Sequence, residues 1–95
     1  MKEQLRREIG VRMRKIRKAL AFTQDQIVSS FPIGRANYSR IEKGEIFPVA
    51  PILKILRAEF NVSLDWLISD KGEMFLQGSK EEEEKINLGD YSEEI

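Results

Sequence analysis

Residues 23–44, TQDQIVSSFPIGRANYSRIEKG, decide the reading of the chain. Thr23 is a good helix N-cap. Gln26, three residues on, can complete a capping box in which each residue satisfies a backbone donor of the other. Ile27 and Val28 supply the buried side of this short helix, which is expected to end near Ser30. Phe31-Pro32-Ile33-Gly34 reads as a turn, because Pro32 has no amide donor and disfavours helix in the residue before it. Gly34 is an acceptable N-cap for a second helix running from about Arg35 to Lys43. Tyr38 and Ile41 point inward from that helix, and Gly44 ends it. Arg35, Asn37 and Arg40 are then spaced to face outward together, with Arg40 at i+4 from Ala36 and i+3 from Asn37.

Working outward, the spacing predicts a longer amphipathic helix over 5–22. Leu5, Ile9, Met13, Ile16 and Leu20 recur every three or four residues, and Arg6, Arg7, Arg12, Arg14, Lys15 and Lys18 occupy the other faces. Phe22 stands just before Thr23, where it can staple the start of the next helix. Downstream, Glu45-Ile46-Phe47-Pro48 is a loop. A fourth helix follows with Ala50, Leu53, Leu56 and Phe60 inward and Pro51 in its first turn. Asn61 suits the residue after its end. Ser63 then caps a fifth helix, SLDWLIS, with Asp65 near its positive pole. Lys71-Gly72 turns the chain, and Glu73-Met74-Phe75-Leu76 reads as a short extended segment or docking strand. The expected architecture is all-α, five helices over residues 1–76, followed by a polar, acidic tail over 77–95 whose KEEEEK run reads as solvated. There are no internal repeats.

Composition narrows the function. The 95 residues amount to one small domain and a tail. With no Cys there are no disulfides or thiolate metal sites, and with no His the commonest general base and zinc ligand are missing. No cofactor or metal is expected. No apolar run approaches the roughly 20 residues that span a bilayer, and MKEQLRREIG lacks an apolar signal core. The expected location is therefore cytoplasmic, at the nucleoid, with no membrane partner. The net charge of zero conceals a polarity. Residues 1–44 carry 11 Lys/Arg and 4 Asp/Glu, and residues 45–95 carry 5 and 12. A basic half beside an acidic half suggests a face that meets a polyanion; a mixed surface that happens to segregate is the plainer alternative.

The chemistry of the exposed helix face is that of base readout. Arg can donate twice to guanine, Asn can pair with adenine in both directions, and Ala36 can offer a methyl to thymine. Two short helices joined by a tight turn, the second projecting such side chains from its N-terminal half, are the parts of a major-groove reader. The stretches IGVRMRKIR (9–17), FTQDQI (22–27), GRANYSRIEKG (34–44) and NVSLDWLI (61–68) together resemble the Xre/Cro family of helix-turn-helix domains, the five-helix domain of phage lambda repressor-like proteins. The resemblance implies sequence-specific binding of double-stranded DNA by a homodimer, in a transcriptional regulator of the repressor kind. It implies base contacts from Arg35, Ala36, Asn37 and Arg40, and phosphate contacts from Thr23, Gln24, Ser39 and Lys43. It also implies an ion pair between Arg17 and Glu42 that ties the first helix to the end of the third.

The chain departs from the family pattern at Pro32, where Gly is usual, at Val28, where a small residue is usual, and at Gly34, where Ser or Thr is usual. The loop EIFP replaces one that often carries a phosphate-binding cation, which leaves Ile46 and Phe47, with Phe75, as candidates for packing on a second subunit or as ordinary core. Trp66 reads as core. Alternatives stand beside the regulator. An antitoxin would add a toxin partner held by the acidic tail, and a protein-interaction module would keep the fold without DNA. An enzyme is not expected, because no polar site clusters. No effector-sensing or protease domain is expected on this length, so control is expected to come from concentration, a partner protein or the tail.

Overall fold

Apolar residues at every third or fourth position make the N-terminal segment a helix, α1, Lys2–Ala19, in the computed structural model, which describes residues 1–76. The acidic tail over 77–95 lies outside the described residues. Ile9, Met13 and Ile16 of α1 are buried, with Leu5 and Leu20 packed at the margins of the core. The helix ends earlier than its apolar spacing suggests, because Ala21 takes a left-handed conformation at φ 61° and turns the chain.

The capping box at Thr23 forms as the sequence predicts. Thr23 Oγ1 accepts from the Gln26 amide at 3.1 Å, and the Thr23 amide donates to Gln26 Oε1 at 2.8 Å. They open α2, Gln24–Val28. The segment after it is more than a connector. Phe31 is buried, its ring centroid 5.9 Å from that of Tyr38, so the turn is anchored to the core through an aromatic side chain. Next comes α3, Arg35–Glu42, whose Tyr38 and Ile41 are buried. Gly44, at φ +79°, closes it: the Gly44 amide donates to Ile41 O at 3.0 Å and the Glu45 amide to Arg40 O at 2.9 Å. Those two bonds make a Schellman motif, which satisfies carbonyls the helix would otherwise leave open.

Two shorter amphipathic elements cover the other side of the core. In α4, Ala50–Phe60, Pro51 sits in the first turn and Asn61 ends the helix in the left-handed region. Its buried residues are Ile52 and Leu56; Leu53 and Phe60 are half-buried and Ala50 is exposed. The inward stripe is therefore rotated from the one expected. The run Pro51-Ile52-Leu53-Lys54-Ile55-Leu56 is apolar on several faces, so spacing alone leaves the phase open, and packing chose Ile52. In α5, Leu64–Ser69, Ser63 caps the start by accepting from the Trp66 amide at 3.2 Å. The segment Met74–Leu76 docks against Asn61–Ser63: the Ser63 amide donates to Met74 O and the Leu76 amide to Asn61 O, each at 2.9 Å, around an antiparallel bridge between Val62 and Phe75. Among the described residues the fold is all-α, five helices with that single bridge.

One close approach holds the frame. Gly10 lies on the core side of α1, and a Cβ built there would stand 2.6 Å from Ile41 O and 2.7 Å from Glu42 O. Only glycine lets the α1 backbone rest on the last turn of α3.

Candidate nucleic-acid interface

Three elements fix how α3 is presented. Gly10 seats its C-terminal end on α1, Tyr38 and Ile41 bury its inner side, and Phe31 packs against Tyr38 from the preceding turn. What remains outward is the face bearing Arg35, Ala36, Asn37 and Arg40, all four exposed, with Lys43 exposed just past the helix end and Ser39 half-buried. The structure thus brings the four expected base-reading residues onto one accessible surface. Gly34, the N-cap, is exposed and has open space where a Cβ would stand.

A polar node lies behind this surface. Arg17 Nε donates to Glu42 Oε2 at 2.7 Å and Arg17 Nη2 to Glu42 Oε1 at 3.1 Å, a two-pronged pair between α1 and α3. The third guanidinium nitrogen, Nη1, donates to Phe22 O at 3.0 Å. Gln24 Nε2 donates to Glu42 Oε1 at 3.2 Å, which ties α2 to the same carboxylate. The two charged side chains are 13% and 6% exposed, so the pair is largely removed from water. The bond to Glu42 raises the Arg17 pKa. Burial alone would push Glu42 upward, but the bond from Arg17, then the neighbouring Tyr38 hydroxyl and Gln24, hold it below the usual carboxylate range. Burial first, and then the nearby Glu42 carboxylate, raise the Tyr38 pKa well above the tyrosine range, so the hydroxyl stays neutral. That hydroxyl is buried without a hydrogen bond of good geometry.

The expected phosphate group is less free than its sequence suggests. Thr23 spends its amide and its hydroxyl lone pair in the capping box, leaving the hydroxyl proton to donate. Gln24 is half-buried and committed to Glu42. Two of the three charged or amide side chains expected to read bases also carry partners that the sequence reading missed. Arg35 Nη1 stands 3.6 Å from Asp25 Oδ2, and Arg40 Nε donates to Glu45 Oε1 at 3.2 Å. The signal for the second pair was present, since the Schellman turn at Gly44 brings the residue after it back over the helix end. Both pairs are more than half exposed, so each contributes little and exchanges readily.

Several α1 cations have inward duties. Arg12 is 8% exposed rather than solvated, and Arg6 lies 5.6 Å above the Phe47 ring, which it partly covers. Arg7, Arg14, Lys15 and Lys18 remain exposed. Among the described residues no group of His, Cys, Asp or Glu could hold a metal ion, and no helix is long and apolar enough to cross a membrane.

Residues 10–73, more than half of the chain, match the helix-turn-helix domain family, and the chain belongs to that DNA-binding family. No curated protein and no solved structure matches it.

Proposed function

We propose that the protein is a sequence-specific reader of double-stranded DNA that acts as a homodimer in transcriptional regulation, as a repressor. The observation that carries this reading is the joint exposure of Arg35, Ala36, Asn37 and Arg40 on a helix whose other side is locked to the core. In this reading α3 enters the major groove. Arg35, Asn37 and Arg40 donate to or pair with base edges, and Ala36 meets a thymine methyl. In the same reading the Thr23 hydroxyl, Ser39 and Lys43 would meet the flanking phosphates, and Gln24 would serve chiefly to hold α2 on Glu42. Two such helices related by a two-fold axis would read half-sites about one helical turn apart. The role is binding without catalysis, in keeping with the absence of His and Cys.

Selection of bound fragments from a random duplex library, at low and near-physiological salt, tests the proposal. A palindromic motif is expected with the native protein, and its loss is expected when Arg35, Asn37 and Arg40 are all replaced by Ala. No enrichment at either salt would assign the fold to protein binding instead. The ion pairs that Asp25 and Glu45 make with Arg35 and Arg40 are the observation that favours that second reading.

A further inference from the structure

On the side of α1 turned toward α5 runs an open groove that the proposed DNA reading leaves unused. Its apolar floor is Val11, 53% exposed, Ile68, 39% exposed, and half-buried Trp66. A second hollow shares Val11 and Lys15 with it and continues along α1 past Arg14 and Lys18 to Met74. The two together form a strip from Met74 to the α5 end, apolar along its floor and basic along its α1 rim. Arg12 lines the strip with its guanidinium under-compensated. Among the described residues, its 10% exposed side chain has a 3.8 Å contact from Nη2 to Glu8, and Nη1 is buried with no hydrogen-bond partner. A buried charge so poorly paired is costly, and an added carboxylate beside it repays part of the cost. Glu8 and Asp70 are the carboxylates already in the groove, at its far end, beyond Val11.

We infer that this strip is the docking site for the chain's own acidic segment, residues 81–88. Three observations select that occupant. The described residues end at Leu76, two residues after Met74, which lines the near end of the strip. Glu81 follows five residues later, a reach of about 17 Å when extended, while Lys18 to Val11 along α1 is about 10 Å. The order of chemistry also matches: Glu81–Glu84 come first, as do Lys18, Arg14 and Lys15, and Ile86 and Leu88 come next, as do Val11, Trp66 and Ile68. The inference is independent of whether α3 binds DNA.

The chain has one Trp and no Cys, which makes the test direct. In the full-length protein, Ser92→Cys carries a nitroxide label, and amide signals are recorded with isotope-labelled protein. The expected result is loss of signal intensity at Val11–Lys18 and Trp66–Ile68. That loss is unchanged on dilution, and it is reversed by the combined replacement of Glu81–Glu84 with Gln or by Lys15→Glu with Lys18→Glu, both at exposed positions. Undiminished signals there would overturn the inference. So would intensity loss that appears when spin-labelled and isotope-labelled chains are separate molecules, which would assign the groove to a second copy. Nitroxide quenching of Trp66 fluorescence gives the same readout should the amide spectrum prove too crowded.

Discussion

At the scale of single residues, the Arg17–Glu42 node is a structural feature distinct from the side chains proposed to read bases. Glu42 accepts from Arg17 twice and from Gln24 once, so three helices meet on one carboxylate. Glu42→Ala strands a largely buried guanidinium. It is expected to cost roughly 3 kcal/mol, the low end for a broken buried pair, since Arg17 keeps its bond to Phe22 O. A drop in melting temperature on the order of 10 °C would report it. The pH dependence follows from the depressed Glu42 pKa. The carboxylate contributes its stability above the unfolded value of about 4.3, and that stability is lost as pH falls through the lower folded value. Urea midpoints of the native protein and Glu42→Gln are therefore expected to differ most near neutrality and to converge in acid; a constant difference would count against the node as the source. Arg40→Ala should leave stability unchanged and relax base preference in the selected motif. Glu45→Gln releases Arg40 from its exposed pair and should tighten duplex binding by no more than about fivefold, the worth of a surface ion pair, as read by titration of a labelled duplex.

At the scale of elements, what was legible in the sequence follows from how local its cause is. Caps are local: Thr23, Gln26, Ser63, Asn61 and Gly44 each act on residues within one turn, and each stands where the sequence puts it. The exposed side of α3 was legible for the same reason, since Tyr38 and Ile41 fix its phase. Contacts across elements were not. Gly10 is blank to a periodicity argument, yet it sets the distance between α1 and α3. Arg12 counts as solvated by type and is buried by place. Phe31 sits in a segment whose Pro and Gly mark a turn, and only the packed core reveals it as an anchor. The phase of α4 was undetermined because its apolar residues are too many, not too few. Gly10→Ala tests the element scale. Helix propensity would favour it by about 1 kcal/mol, but its Cβ meets backbone oxygens that cannot step aside. A net loss of about 1–3 kcal/mol is expected by urea unfolding. A more stable variant would mean that α1 and α3 slide past one another easily.

At the scale of the molecule, the uneven spread of charge bears on association. The first 44 residues carry a net +7, although Arg17 is internally paired and Arg6 covers Phe47. Duplex affinity is expected to fall steeply with salt. The slope reports how many cations reach phosphate, at roughly one unit per contact. Lys43→Ala should reduce that slope by about one while leaving the preferred sequence unaltered.

Seating the α3 end directly on α1 has a mechanical consequence. Ile41 O and Glu42 O rest where a Gly10 side chain would otherwise stand, and Gly44 lies against Arg7 in the same way, its Cβ position 2.9 Å from the Arg7 α-carbon. The reading helix is thus pinned at its tail, with no slack layer of side chains beneath it. If α3 reads a groove as proposed, a helix seated this way would leave the duplex to supply the bending. In the proposed dimer, base pairs between the half-sites that neither helix touches would then be sorted by how easily they flex.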